Sequence, residues 1–172
     1  RGSHEGTVGI LGYEYNGMLN TIEEQIFIPC NKAYAVLKAD VEQLSFVNKS
    51  GILYLYLDGS ILAINLPEGS YTEIATQVQE GSFQVSQKEE MLVWQNSADA
   101  YDCTKLILMN LNTGNTWEIT ATGNNRIMPL GFMNEDLIYG VAEYGDIIRD
   151  SSGSITFPMY AVYIQNEQGE IL

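Results

Sequence analysis

The sequence predicts a mostly β protein: consecutive four-stranded antiparallel meanders preceded by an N-terminal β-hairpin and one short helix. Three observations carry that prediction. The stretch 83–119, "FQVSQKEEMLVWQNSADAYDCTKLILMNLNTGNTWEI", holds four short apolar runs separated by polar or glycine-containing turns, the pattern of a meander. The same order of runs and turns recurs at 44–74 and at 130–172. Gly69, Gly114 and Gly169 mark the equivalent turn in each copy.

At the N-terminus, "TVGILGYEY" (7–15) is β-branched and aromatic, and "EQIFIP" (24–29) follows the Asn16-Gly17 turn region as a second strand. A hairpin with a long connection is expected. From Asn31 onward the period changes, because Ala33, Val36, Leu37, Val41 and Leu44 fall at helical spacing, with Asn31 placed as an N-cap. This helix is expected to lay an apolar face on the neighbouring sheet. Arg1-Gly2-Ser3-His4 reads as a purification-tag remnant outside the fold.

Strands are expected near 52–57, 91–95, 106–111, 137–142 and 159–165. "ILYLYL", "KLILMNL" and "YAVYIQN" are almost continuously apolar, as in sheets covered on both faces. Trp94, Trp117, Tyr54, Tyr71 and Tyr139 are expected to pack between sheets. The copies differ mainly in the loop between second and third strands. That loop is Asp58-Gly59 in the first copy, about 97–102 in the second and about 144–156 in the third.

The strand ending in Asn-Leu, the glycine turn and the aromatic-Glu-Ile element of "LILMNLNTGNTWEIT", together with "FVNKSGILYLYLDGSILAINLPEGSYTEI", resemble the blades of TolB-like β-propellers over residues 44–172. The resemblance implies a partial β-propeller of about three blades, divided as 44–81, 82–126 and 127–172, after an N-terminal segment 1–43. The Pro-Asp-Gly turn frequent in that family is replaced here by Asn48-Lys49-Ser50-Gly51, Gln87-Lys88-Glu89-Glu90 and Asn134-Glu135-Asp136. Propellers host unrelated activities, so the resemblance speaks for architecture and carries over no site residue. Closed propellers use about four to eight blades, and the third copy stops inside its fourth strand, so the chain is expected to be a fragment of a longer protein. Open sheet edges then predict association, expected as a homodimer.

Lys plus Arg number 8 against 22 Asp plus Glu, a net charge of −14. Such a surface repels phosphate backbones and anionic headgroups, which argues against nucleic acid as a partner. No apolar run of about 18 residues predicts a membrane span. His4 is the only histidine, which removes the materials for a Ser-His-Asp triad, a Cys-His pair or a His-based zinc site. Neither GxGxxG nor GxxxxGK[ST] occurs, so no nucleotide cofactor is expected. Cys30 and Cys103 are too few for a disulfide framework and are expected as separate thiols, with a single bridge as the alternative.

In an up-and-down blade, the loop after the second strand and the linkers between blades fall at one end. That end collects the insertions, and with them Asp99, Tyr101, Asp102, Tyr144, Asp146, Arg149 and Asp150. Asp99, Tyr101, Asp102, Tyr144, Asp146 and Arg149 are the candidate binding residues, because loops of varying length on a rigid scaffold are where binding concentrates. The 97–102 loop lacks the alternating ligands and closing Glu of a calcium loop, so no metal is expected there. The function expected is a non-catalytic binding or scaffold segment of an extracytoplasmic propeller-like protein, contacting protein or glycan. The alternative is a glycoside-active propeller fragment using paired carboxylates.

Overall fold

A computed structural model describes residues 4, 5 and 7–172, so most of the expected tag remnant lies outside the described residues. His4 is described. Its Nε2 lies 2.8 Å from Glu24 Oε1, and its ring stacks on Phe27 with centroids 3.8 Å apart. The chain divides into two compact units, 1–76 and 77–172. It is mostly β, built from antiparallel sheets of two to four strands, with a single α-helix among the described residues.

In the first unit, β1 (Val8–Asn16) and β2 (Thr21–Cys30) form a hairpin with a bulge at Gly12/Tyr13. The connection is shorter than expected, because Asn16 Oδ1 accepts the backbone N–H groups of Met18 and Leu19 and turns the chain at once. The helix α1 spans Tyr34–Gln43 and starts later than the sequence suggested. Ala33, not Asn31, is its N-cap, and the Ala33 carbonyl accepts the N–H groups of Val36 and Leu37. Lys32, which the expected helix would have included, instead reaches Asp58 at 3.1 Å.

β3 (Ser45–Val47), β4 (Ile52–Leu57), β5 (Ser60–Asn65) and β6 (Ser70–Ala75) follow in a meander of that spatial order. The β4–β5 turn is Asp58-Gly59, with φ of 48° and 79°, the left-handed pair that a two-residue hairpin requires. Leu37 of the helix and Ile26 and Ile28 of β2 join Leu55, Leu57, Leu62 and Ile64 in one core, so hairpin and helix both cover the sheet. Gly69 is needed where the β5–β6 turn meets β2, since a Cβ there would lie 2.5 Å from the Gln25 carbonyl oxygen.

The second unit begins with β7 (Phe83–Val85), β8 (Met91–Gln95), β9 (Lys105–Asn110) and β10 (Thr116–Thr120), again a four-stranded meander. A third sheet pairs β11 (Asn125–Met133) with β12 (Asp136–Glu143). The long insertion then carries a 3-10 turn at Tyr144–Asp146 and a small hairpin of β13 (Ile148–Arg149) and β14 (Ile155–Thr156). β15 (Ala161–Gln165) returns to pair with β12.

Val93, Leu106, Leu108 and Ile119 of the second sheet pack on Ile127, Leu137, Tyr139 and Val141 of the third. Every residue of β8 is buried. The expectation of two covered faces fails for β15, where Val162 and Tyr163 are exposed. Tyr71 also departs from its expected packing role: it lies on edge strand β6 and is 45% exposed. Trp94, Tyr54 and Tyr139 are buried, and Trp117 packs half-buried against the second core.

Candidate loop-end site

Strand direction gathers three connections of the second unit at one end: the β8–β9 loop, the β10–β11 linker and the β12–β15 insertion. The first loop is stitched internally. Tyr101 N–H donates to Asp99 Oδ1 at 2.9 Å, and Asp102 N–H donates to the Asp99 carbonyl at 3.1 Å. From below, buried Gln95 donates its amide to the Ala100 carbonyl at 2.6 Å and to the Ile127 carbonyl at 3.4 Å. The loop is therefore tied both to its own sheet and to the first residues of the third.

Two ion pairs join this loop to its neighbours. Arg149 of the insertion donates to the carboxylate of Asp99, and Arg126 at the start of β11 donates to that of Asp102. The Arg126 guanidinium also donates to the Asn125 carbonyl at 3.0 Å and lies 4.2 Å over the ring of Tyr144. Its side chain is only 13% exposed, so its charge is partly desolvated against an aromatic face, where such contacts strengthen. Tyr101 tilts toward Phe157 of the insertion, with ring centroids 6.3 Å apart.

Of the six residues singled out from sequence, the structure brings Asp99 to Arg149, and links Asp102 and Tyr144 through a shared arginine. Tyr101 joins the insertion through Phe157, while Asp146 sits exposed on the 3-10 turn apart from these pairs. Arg126 and Phe157 were missed. The sequence held a signal for Arg126: it is one of few basic residues and lies in a linker assigned to the loop end. Phe157 offered none, since its place depends on how the insertion folds.

Asp150 organises the turn between β13 and β14. Its Oδ1 accepts the Ser152 hydroxyl at 2.5 Å and the backbone N–H groups of Ser152 and Ser154 at 2.8 and 2.9 Å. These bonds, the Ser152 hydroxyl first, hold its carboxyl below the ordinary carboxylate value. Among the described residues no group of three or more His, Cys, Asp or Glu could hold a metal ion. No described helix is long and apolar enough to cross a membrane. Both cysteines are free thiols.

No protein-family model matches the chain, and no curated protein matches it. Among solved structures, TolB from Acinetobacter baumannii is similar at a TM-score of 0.31 and 13% identity. The match covers 70% of this chain and 39% of that one.

Proposed function

We propose that the chain is a non-catalytic binding or scaffold segment of a TolB-like, propeller-type protein acting outside the cytoplasm, and that its loop end contacts a protein or glycan partner. The internal repeats over 44–172 support the propeller reading. The observation that carries the binding reading is the cross-linked loop cluster, in which Arg149–Asp99 and Arg126–Asp102 fix separate loops while Tyr144 stays exposed and Tyr101 half-buried. Loops held in this way lose little further conformational entropy on binding, and tyrosines supply contact area with few rotatable bonds. The face offers planar rings and hydrogen-bonding groups.

The reading is tested by screening the chain against immobilised polysaccharides and an array of oligosaccharides, then repeating the positive cases with Tyr101→Ala and Tyr144→Ala. Each substitution is expected to weaken binding about tenfold, equivalent to ~1.4 kcal/mol, with the protein still folded at the assay temperature. Binding that ignores both substitutions moves the contact elsewhere. Turnover of aryl glycosides that one carboxylate substitution abolishes would overturn the non-catalytic reading.

A further inference from the structure

β6 is an edge strand of the first four-stranded sheet, and Tyr71 and Glu73, two apart on it, share one face. Register puts that face on the core side. Tyr71 stands opposite Ile64 and Glu73 opposite Leu62, both members of the core shared with β2. Toward the edge that cover is incomplete, and a cavity of about 200 Å³ opens between the end of β2, the β4–β5 turn and β6. Buried Ile28, Leu57 and Leu62 supply its apolar lining.

Asn31, Ser60, Tyr71 and Glu73 line the same cavity, and among the described residues their side chains make no hydrogen bond or ion pair. Unengaged polar groups converging beside apolar side chains are what a small-ligand site presents. The charge is one-sided, because Asp58 and Glu73 are in the lining and no lining residue is cationic. From outside it, Lys32 sets its Nζ 3.1 Å from Asp58 Oδ1, so the chain itself shows how this carboxylate receives an alkylammonium. Glu73 is left without a cation among the described residues. A carboxylate only accepts hydrogen bonds, and an ammonium offers three donors and no acceptor. The surplus of acceptors therefore matches a protonated amine better than a sugar, whose hydroxyls bring an acceptor with each donor. An inorganic cation lacks its ligands, since no group of three or more His, Cys, Asp or Glu among the described residues could hold one.

We propose that this cavity binds a small primary amine as its alkylammonium ion. The ammonium lies against Glu73, the apolar stem rests on Ile28, Leu57 and Leu62, and Tyr71 supplies an aromatic wall beside the charge. Asn31 and Ser60 accept hydrogen bonds from the far end of the ligand. A cavity below the roughly 300 Å³ of a drug-sized pocket takes a short aliphatic amine. Two sources supply this chemistry: a free diamine, and a lysine side chain projecting from a partner protein. The lining lies wholly within the first unit, and the proposal does not depend on the loop-end reading.

The probe is cadaverine, titrated into the full chain by calorimetry at low salt, with glucose and glutarate as the neutral and anionic controls. Cys30 gives a second readout, because its half-buried thiol lines the cavity and that of Cys103 does not. Saturable binding with a Kd of about 1 mM is expected for cadaverine alone, and at saturation a thiol reagent is expected to modify Cys30 more slowly. Glu73→Gln should weaken binding about tenfold. Glu68→Gln, at an exposed carboxylate outside the lining, should leave it unchanged, and Lys32→Gln should strengthen it by freeing Asp58. Nα-acetyl-lysine methylamide separates the sources: tighter binding than cadaverine assigns the site to a protein-borne lysine, weaker binding to a free amine. The proposal is overturned by no saturable binding up to ~10 mM cadaverine, by glucose or glutarate binding in its place, or by cadaverine binding that leaves Cys30 reactivity unchanged. Equal losses from Glu73→Gln and Glu68→Gln overturn it as well, since they would mark attraction to the net charge alone.

Discussion

Arg126 ties three connections together with one side chain: its own linker through the Asn125 carbonyl, the β8–β9 loop through Asp102 and the insertion through Tyr144. Other single residues matter through burial. Leu108 is 2% exposed in the core shared by the second and third sheets, so Leu108→Ala is expected to cost about 2 to 5 kcal/mol in chemical denaturation. A loss under about 1 kcal/mol would mean that the site collapses freely and is not a packed core. Cys103 is fully buried, and burial raises its thiol pKa. Its thiolate is therefore disfavoured in the folded state. A thiol reagent at neutral pH is expected to modify half-buried Cys30 first and Cys103 only after denaturant is added. Equal rates at the two cysteines in the native protein would contradict this.

Among the elements, the β13–β14 hairpin is the least supported by packing: two residues per strand, largely exposed, closed by the Asp150 turn. The lowered Asp150 pKa sets the sign of its pH response. A depressed folded value contributes stability that is complete above the unfolded carboxylate pKa and lost as pH falls through the folded one. At neutral pH the turn is closed. The backbone N–H resonances of Ser152 and Ser154 are expected to shift only in acid, with a midpoint below the ordinary carboxylate value. A midpoint at or above that value would show that the carboxylate is not held by these bonds. The buried strands β8 and β9 are placed at the opposite extreme, where exchange requires extensive unfolding.

For the whole molecule the dominant long-range term is its own charge, −14 on 172 residues. Self-repulsion of this kind opposes the compact state and is screened by salt. The screening length falls from roughly 30 Å at 0.01 M to about 8 Å at 0.15 M ionic strength. Apart from Arg126–Asp102, the described ion pairs are surface contacts such as Lys105–Glu118 at 2.7 Å and Lys38–Glu42 at 3.7 Å, each of small worth. Repulsion is therefore expected to win, and the thermal midpoint should rise over that range of salt. A falling midpoint would assign the larger share to the ion pairs.

The sequence by itself determined the class and spacing of the strands, because apolar runs and turn residues are local signals. β4 and β8 span the expected residues, and Asp58-Gly59 could be read as a tight turn from its two residue types. Local chemistry also placed the loop end, since an up-and-down meander fixes which loops share a side. What it could not fix were choices made between distant residues. Asn31 is a good cap by type, yet the helix starts after Ala33 while Lys32 reaches Asp58, a partner on another turn. Tyr71 and Tyr139 read alike along the chain, but one falls on an edge strand and the other beneath a neighbouring sheet. The pairing of Arg126 with Asp102 and Tyr144, and the contact of Tyr101 with Phe157, were decided only by the tertiary structure. Both depend on which strands become neighbours, and burial and electrostatic contact are properties of that neighbourhood, not of the residue.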